Sequence, residues 1–164
     1  MLNELFWYEL QSIKEFKQVE PIFDTLPSSH TDVKICYDDK FLYVGVFLSE
    51  KNTNISFKSG EYDDFIGVFD SLSDYFIIEF DTYHDHMTSY GFAVNSSGIK
   101  ADYMIYDDEF IDDDWNAKWN ANVNYHDNGW SIEYSIPFSN LRFNNGENIK
   151  WGMNIIRYIK HNND

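Results

Sequence analysis

Apolar and polar side chains alternate residue by residue along short segments of this sequence, and turn-forming residues separate one segment from the next. A period of two matches the pleat of a β-strand, so the pattern confines the chain to sheets built from many short strands. Thr31 to Tyr37 sets Val33, Ile35 and Tyr37 against Asp32 and Lys34, and Asp38-Asp39-Lys40 then turns the chain into FLYVGVFL. That second run is apolar on both faces, which suits a central, buried strand. Tyr75 to Asp81 (YFIIEFD) has the same nearly continuous apolar character.

Two hairpins are legible. Ser89 to Val94 and Ile99 to Tyr106 flank Asn95-Ser96-Ser97-Gly98, a connection with glycine where a positive φ is wanted. The second hairpin sets Trp119, Ala121, Val123 and Tyr125 on one face, turns at Asp127-Asn128-Gly129, and returns through Trp130, Ile132, Tyr134 and Ile136. Its other face carries Asn120, Asn122 and Asn124 with Ser131, Glu133 and Ser135, so one side of this sheet is expected to be open to water or ligand. A last strand runs from Trp151 to Ile159. Helix is confined to Asn3 to Ser12 and a single turn after Pro137, while Gly60 to Asp70 and Asp107 to Asp114 read as loops. The expected fold is an all-β, antiparallel, jelly-roll-like β-sandwich of about eight to ten strands with one or two short helices.

Aromatic residues make up 19% of the chain, a bias that favours pleated sheets over helix bundles. The 164 residues, with no internal repeat or linker, fit one domain spanning 1–164. The chain opens directly on structured-looking sequence and stops at RYIKHNND, so it reads as a piece of a larger protein. No run approaches the roughly eighteen apolar residues that a membrane helix requires, and MLNELFWYELQSIKEF lacks a basic region followed by an apolar stretch. Twenty-eight acidic residues against 12 basic ones leave a net charge of −16, a field that repels phosphate and disfavours nucleic acid as a partner. Such acidity serves a solvated surface, divalent-cation binding, or both. The single Cys36, in an alternating apolar run, reads as a small strand residue and permits no intrachain disulfide.

Serine-hydrolase, zinc-protease and nucleotide-loop signatures are absent, and adjacent aspartates do not make the opposed carboxyl pair that a glycosidase uses. The domain is therefore read as non-catalytic. Asp107, Asp108, Asp112 and Asp113 are the candidate ligands for a structural Ca²⁺, which takes about six to eight oxygens; the competing reading is a solvated acidic loop. His84 and His86 lie in a turn with no third ligand in view. Three methionines among the later strands and five histidines show no spacing that selects a haem-ligating pair. Aromatic rings beside amides and carboxylates suit a sugar, whose C–H face stacks while its hydroxyls hydrogen-bond. Trp115 and Trp119 flank the acidic loop next to the asparagine-rich face, with Trp115 expected to be partly exposed. Alternation places Trp119, Trp130 and Trp151 at core positions. Arg157, inside a strand of isoleucines, is either half of a structural ion pair or a ligand clamp. The candidate ligand contacts are Trp115, Trp119, Asn120, Asn122, Tyr106 and Arg157.

YDDKFLYVGVF, SDYFIIEFDTYHDHMTSYGFAVNSSGIKADYMIYDD, DWNAKWNANVNYHDNGWSIEYSIPFSNLRF and WGMNIIRYIKHNN, in that order, resemble the carbohydrate-binding-module family 9-like domain. The resemblance is to the version that precedes an outer-membrane β-barrel-like region in large bacterial surface proteins, and it covers nearly the whole chain. It implies a jelly-roll sandwich, carbohydrate binding between two tryptophans, and structural calcium. By the same resemblance, the domain belongs to a secreted or outer-membrane bacterial protein engaged in polysaccharide binding or catabolism. It is then periplasmic, outer-membrane-associated or extracellular, monomeric in isolation, and a neighbour of a β-barrel in the same polypeptide. The alternative is a structural or protein-interaction accessory that keeps the fold without sugar binding.

Overall fold

The computed structural model describes residues 5–50, 68–69, 73–146 and 148–160. In the described residues a short helix, α1 (Leu5–Glu9), precedes β1 (Thr31–Tyr37), β2 (Phe41–Ser49), β3 (Tyr75–Asp81), β4 (Ser89–Asn95) and β5 (Lys100–Tyr106). β6 (Phe110–Asp112), β7 (Asn120–His126), β8 (Gly129–Pro137), a 3-10 turn (Phe138–Asn140) and β9 (Gly152–Tyr158) complete the order. The strands form two antiparallel sheets, one in the order β1-β2-β8-β7 and one in the order β6-β5-β4-β3-β9. This is the expected sandwich, and both hairpins are present with the expected faces.

Alternation decides what lies between the sheets. Leu42, Val44, Val46 and Leu48 of β2 and Trp130, Ile132, Tyr134 and Ile136 of β8 meet Phe76, Ile78 and Phe80 of β3 and Tyr90, Phe92 and Val94 of β4 in one core. Each such side chain withdrawn from water contributes about 1.5–3 kcal/mol. β2 is central, as its two-faced apolar run predicts: its inward residues and the outward Gly45 are buried, while Phe41, Tyr43 and Phe47 on the outer face are half-buried. A smaller core on the outer face of β3, β4 and β5 packs Ile77, Ala93, Ala101 and Tyr103 under Val68. There Tyr103 donates to Glu79 Oε1 at 2.6 Å, and burial, reinforced by that carboxylate, pushes its phenol far above the usual range.

Two glycines hold the hairpins. Gly98 has φ +82°, the left-handed conformation that the first turn needs. Gly129 has φ +148°, and a Cβ there would lie 2.1 Å from Leu48 O, so β8 approaches β2 where only glycine fits. The turn before it is two residues, Asp127 and Asn128, with Gly129 already paired to His126.

The expected loop at Asp107 to Asp114 is corrected by β6, whose Phe110, Ile111 and Asp112 pair with Tyr106, Ile105 and Met104. Asp107 and Asp108, at φ +53° and +61°, make the reversal, and aspartate tolerates that region better than most residues. The helix expected at Asn3 to Ser12 is Leu5–Glu9 within the described residues. The loop expected at Gly60 to Asp70 lies outside the described residues apart from Val68 and Phe69.

Candidate functional site

The outer face of the four-stranded sheet is built from the residues that alternation turns away from the core. Strand register sets them in rows across β1, β2, β8 and β7: Asp32, Phe47, Ser131, Asn124; then Lys34, Gly45, Glu133, Asn122; then Cys36, Tyr43, Ser135, Asn120. The middle row has no side chain at Gly45, which is buried between Tyr43 and Phe47. α1 is laid over this face, fastened by Lys34 Nζ donating to Trp7 O at 2.7 Å.

Between the helix and the sheet runs a groove of about 340 Å³, lined by Trp7, Tyr8, Asp32, Lys34, Phe47 and His126, with Gly45 and Asn128 completing it. Trp7 is 5% exposed and Tyr8 71% exposed, so the helix contributes one buried and one open ring. Phe47 and His126 stand with ring centroids 5.7 Å apart. His126 Nε2 is 2.8 Å from Ser131 Oγ, which holds the imidazole in place. Asp32 Oδ2 pairs with Lys14 Nζ at 3.1 Å, whereas its Oδ1 is shielded from solvent and accepts no hydrogen bond. The Lys34 ammonium lies 5.9 Å from the centre of the Tyr8 ring. Aromatic rings, an acceptor, a cation and an amide therefore share one hollow, the combination that orients a polar ligand with an apolar face.

The six candidate contacts are not brought together. Asn120 and Asn122 are exposed on this outer face, as expected. Trp119 sits in the core where alternation places it and is corrected as a ligand contact: it is 2% exposed, stacked on Tyr134 at 5.7 Å and 4°, with Lys100 Nζ 4.5 Å over the ring and Asp102 accepting from its Nε1. No ring face is left for a ligand. Trp115 is partly exposed, but its ring leans on Tyr90 at 5.1 Å and on Phe92 at 6.0 Å. Tyr106 is 42% exposed and stacks on Phe110 at the β5–β6 edge of the other sheet.

Arg157 settles as a structural tie. Its guanidinium donates to His30 O, Thr31 Oγ1 and Ser49 O at 3.0, 3.1 and 2.8 Å and faces Glu50 at 3.5 Å, joining β9 to the ends of β1 and β2. Burial of both charges makes this pair costly to break and unavailable to a ligand.

The expected calcium ligands lie at the β5–β6 turn and the end of β6. Asp107 and Asp108 occupy the turn, and Asp112 Oδ1 caps the Asp114 N–H at 3.2 Å. Among the described residues, Asp113 included, no three His, Cys, Asp or Glu side chains converge as a cation site. His84 and His86, with ring centroids 5.0 Å apart, stay an exposed pair without a third ligand.

Tyr8, Asp32, Lys34, Gly45, Phe47, His126 and Asn128 were not singled out from sequence. Their one signal is a glycine interrupting the outward side of an otherwise bulky strand, FLYVGVFL.

No family model matches the sequence, and no curated protein matches it. Solved structures do. A family 9 carbohydrate-binding module from Caldicellulosiruptor kristjanssonii in complex with glucose aligns at TM-score 0.59 and 13% identity, covering 92% of this chain and 67% of that one. A family 9 module from the same organism in complex with cellotriose aligns at 0.54 and 13% identity over 82% of this chain, which spans 59% of that chain's length. A proposed carbohydrate-binding protein from Bacteroides uniformis aligns at 0.67 and 9% identity, covering 95% and 74%. The shared property is the fold: this sandwich is the one that family 9 modules adopt.

Proposed function

We propose that this domain is a non-catalytic glycan-binding module of a secreted or outer-membrane bacterial protein, and that the groove between α1 and the four-stranded sheet is where the sugar sits. The observation that carries the reading is the lining itself: Tyr8 and Phe47 offer apolar faces beside Asp32, Lys34 and Asn128. A pyranose presents the matching pair of surfaces, C–H groups on one face and hydroxyls around its rim. The fold likeness supports the same reading, since two of the similar structures hold glucose or cellotriose. Asp32 in the lining is engaged by Lys14. One stacked ring and a few hydrogen bonds, offset by ordering costs, support dissociation constants in roughly the micromolar to millimolar range.

Titration calorimetry with glucose, cellotriose and a panel of other oligosaccharides tests the proposal. Phe47→Ala and Tyr8→Ala are expected to weaken binding about tenfold while leaving the fold intact, because both rings lie outside the core. Equal affinity in wild type and both variants overturns the site.

One observation favours a second reading, an accessory that docks against a partner domain. Val19, Ile22, Phe23 and Leu26 are 63–81% exposed on one loop beside the edge of β9. If the folded protein binds no glycan and Ile22→Ser with Phe23→Ser abolishes its association with the remainder of its polypeptide supplied in trans, this reading replaces the first.

A further inference from the structure

Asp32 and Lys34 are alternate residues of β1 on the same face, so their Cα atoms lie about 6.6 Å apart, and both line the groove. Their chemistry is complementary. A carboxylate only accepts hydrogen bonds, and an ammonium only donates them. Each also has capacity left within the protein. Asp32 Oδ1 has no partner, while Oδ2 is neutralised by Lys14. Lys34 spends one of its three donors on Trp7 O. The Asp32 side chain as a whole is 21% exposed and lines the groove.

We infer that the Asp32–Lys34 pair reads two adjacent free hydroxyls of a sugar ring lodged in this groove. The inference rests on the proposed glycan-binding role of this groove and names what the groove selects. A hydroxyl both donates and accepts, so one member of a vicinal diol gives its proton to Asp32 Oδ1 while its neighbour accepts from Lys34 Nζ. The strand spacing matches a diol recognised by two side chains that converge from either side. The selected class is an uncharged ring with an unsubstituted vicinal diol. A sugar methylated or deoxygenated at either position leaves a buried polar group unpaired, the situation that gives the sharpest discrimination between similar ligands.

The test uses methyl glucoside and its monodeoxy analogues against wild type, Asp32→Asn, Lys34→Met and Phe47→Ala. Wild type is expected to lose about tenfold or more in affinity for analogues lacking either of two neighbouring hydroxyls and little for the others. Asp32→Asn is expected to bind the parent sugar more weakly and to lose the penalty for one of those two analogues, and Lys34→Met the penalty for the other. A purely structural role for either residue would lower all affinities together. If Phe47→Ala weakens binding but every analogue binds wild type equally, the diol inference falls and the glycan site stands. If neither Phe47→Ala nor the analogues change anything, the glycan site falls and the inference with it.

Discussion

Trp119 and Asp102 are joined by a 2.7 Å hydrogen bond from indole Nε1 to Oδ1, between a ring 2% exposed and a carboxylate residue 4% exposed. Through Oδ2 the same carboxylate accepts the Ala117 N–H at 2.6 Å. One residue of β5 thus fastens the connection that leads into β7, and it does so from the other sheet. Lys100, two residues earlier on β5, completes the strut by donating to Trp119 O at 2.6 Å. A tryptophan that its sequence neighbours place beside a ligand face is instead a bolt between the layers.

Removing that carboxylate strands two buried donors, each worth about 1–3 kcal/mol when left unpaired. Asp102→Ala is expected to lower stability by about 3 kcal/mol in urea unfolding followed by tryptophan fluorescence, and Asp102→Asn, which keeps one acceptor, by about half as much. A loss under about 1 kcal/mol for the alanine variant would show that the strut is dispensable.

The two hairpin glycines separate a backbone effect from a steric one. Gly98 has open space around it, so Gly98→Ala meets only the left-handed conformation and is expected to cost about 1–2 kcal/mol. At Gly129 the new Cβ also collides with Leu48 O, and the backbone of a central strand cannot move aside. Gly129→Ala is expected to cost at least about 3 kcal/mol or to prevent folding. Similar melting temperatures for the two variants would contradict the close approach of β8 to β2.

Acid sensitivity follows from two aspartates. Asp38 Oδ1 accepts the N–H groups of Lys40 and Phe41 at 2.7 and 2.8 Å, and these bonds hold its carboxyl below the usual range. At Asp81 burial pushes the other way, but the N–H groups of His86, Asp85 and His84 outweigh it. A depressed folded value gives stabilisation that is present above the unfolded value near about pH 4 and lost as pH falls through the folded one. The stability difference between wild type and Asp38→Asn is therefore expected to be constant from about pH 5 to 7 and to shrink below about pH 4. Using the difference removes the opposite effect of discharging a chain that carries −16. A difference independent of pH down to about 2.5 would refute the assignment.

Chelation gives a direct check on the acidic edge hairpin. With Asp107, Asp108, Asp112 and Asp113 engaged in turn geometry and not converging, EDTA is expected to leave the melting temperature unchanged, and Ca²⁺ added afterwards to leave it there as well. A rise of several degrees on adding Ca²⁺ would mean that the carboxylates regroup around an ion.

The periodicity of the sequence determined the described strands apart from β6, their faces, both hairpins and the sandwich, because a period-two pattern and a glycine turn are local properties that survive in any correct fold. Val44, Ile132 and Phe76 are buried where alternation puts them. The exposed amides of Asn120 and Asn122 were legible for the same reason. Accessibility is another matter, since it depends on which distant element covers a residue. Trp119 is buried where alternation puts it, but only the tertiary structure gives it Asp102 of β5 as a partner. Arg157 finds Glu50 across 107 positions of sequence. The groove exists because α1 is laid across β1 and β2, bringing Tyr8 to Phe47 and His126 from three separate parts of the chain. Strand and turn propensities act between near neighbours and are written in the sequence; the site is made by contacts between elements far apart in it, and only the tertiary structure decided those.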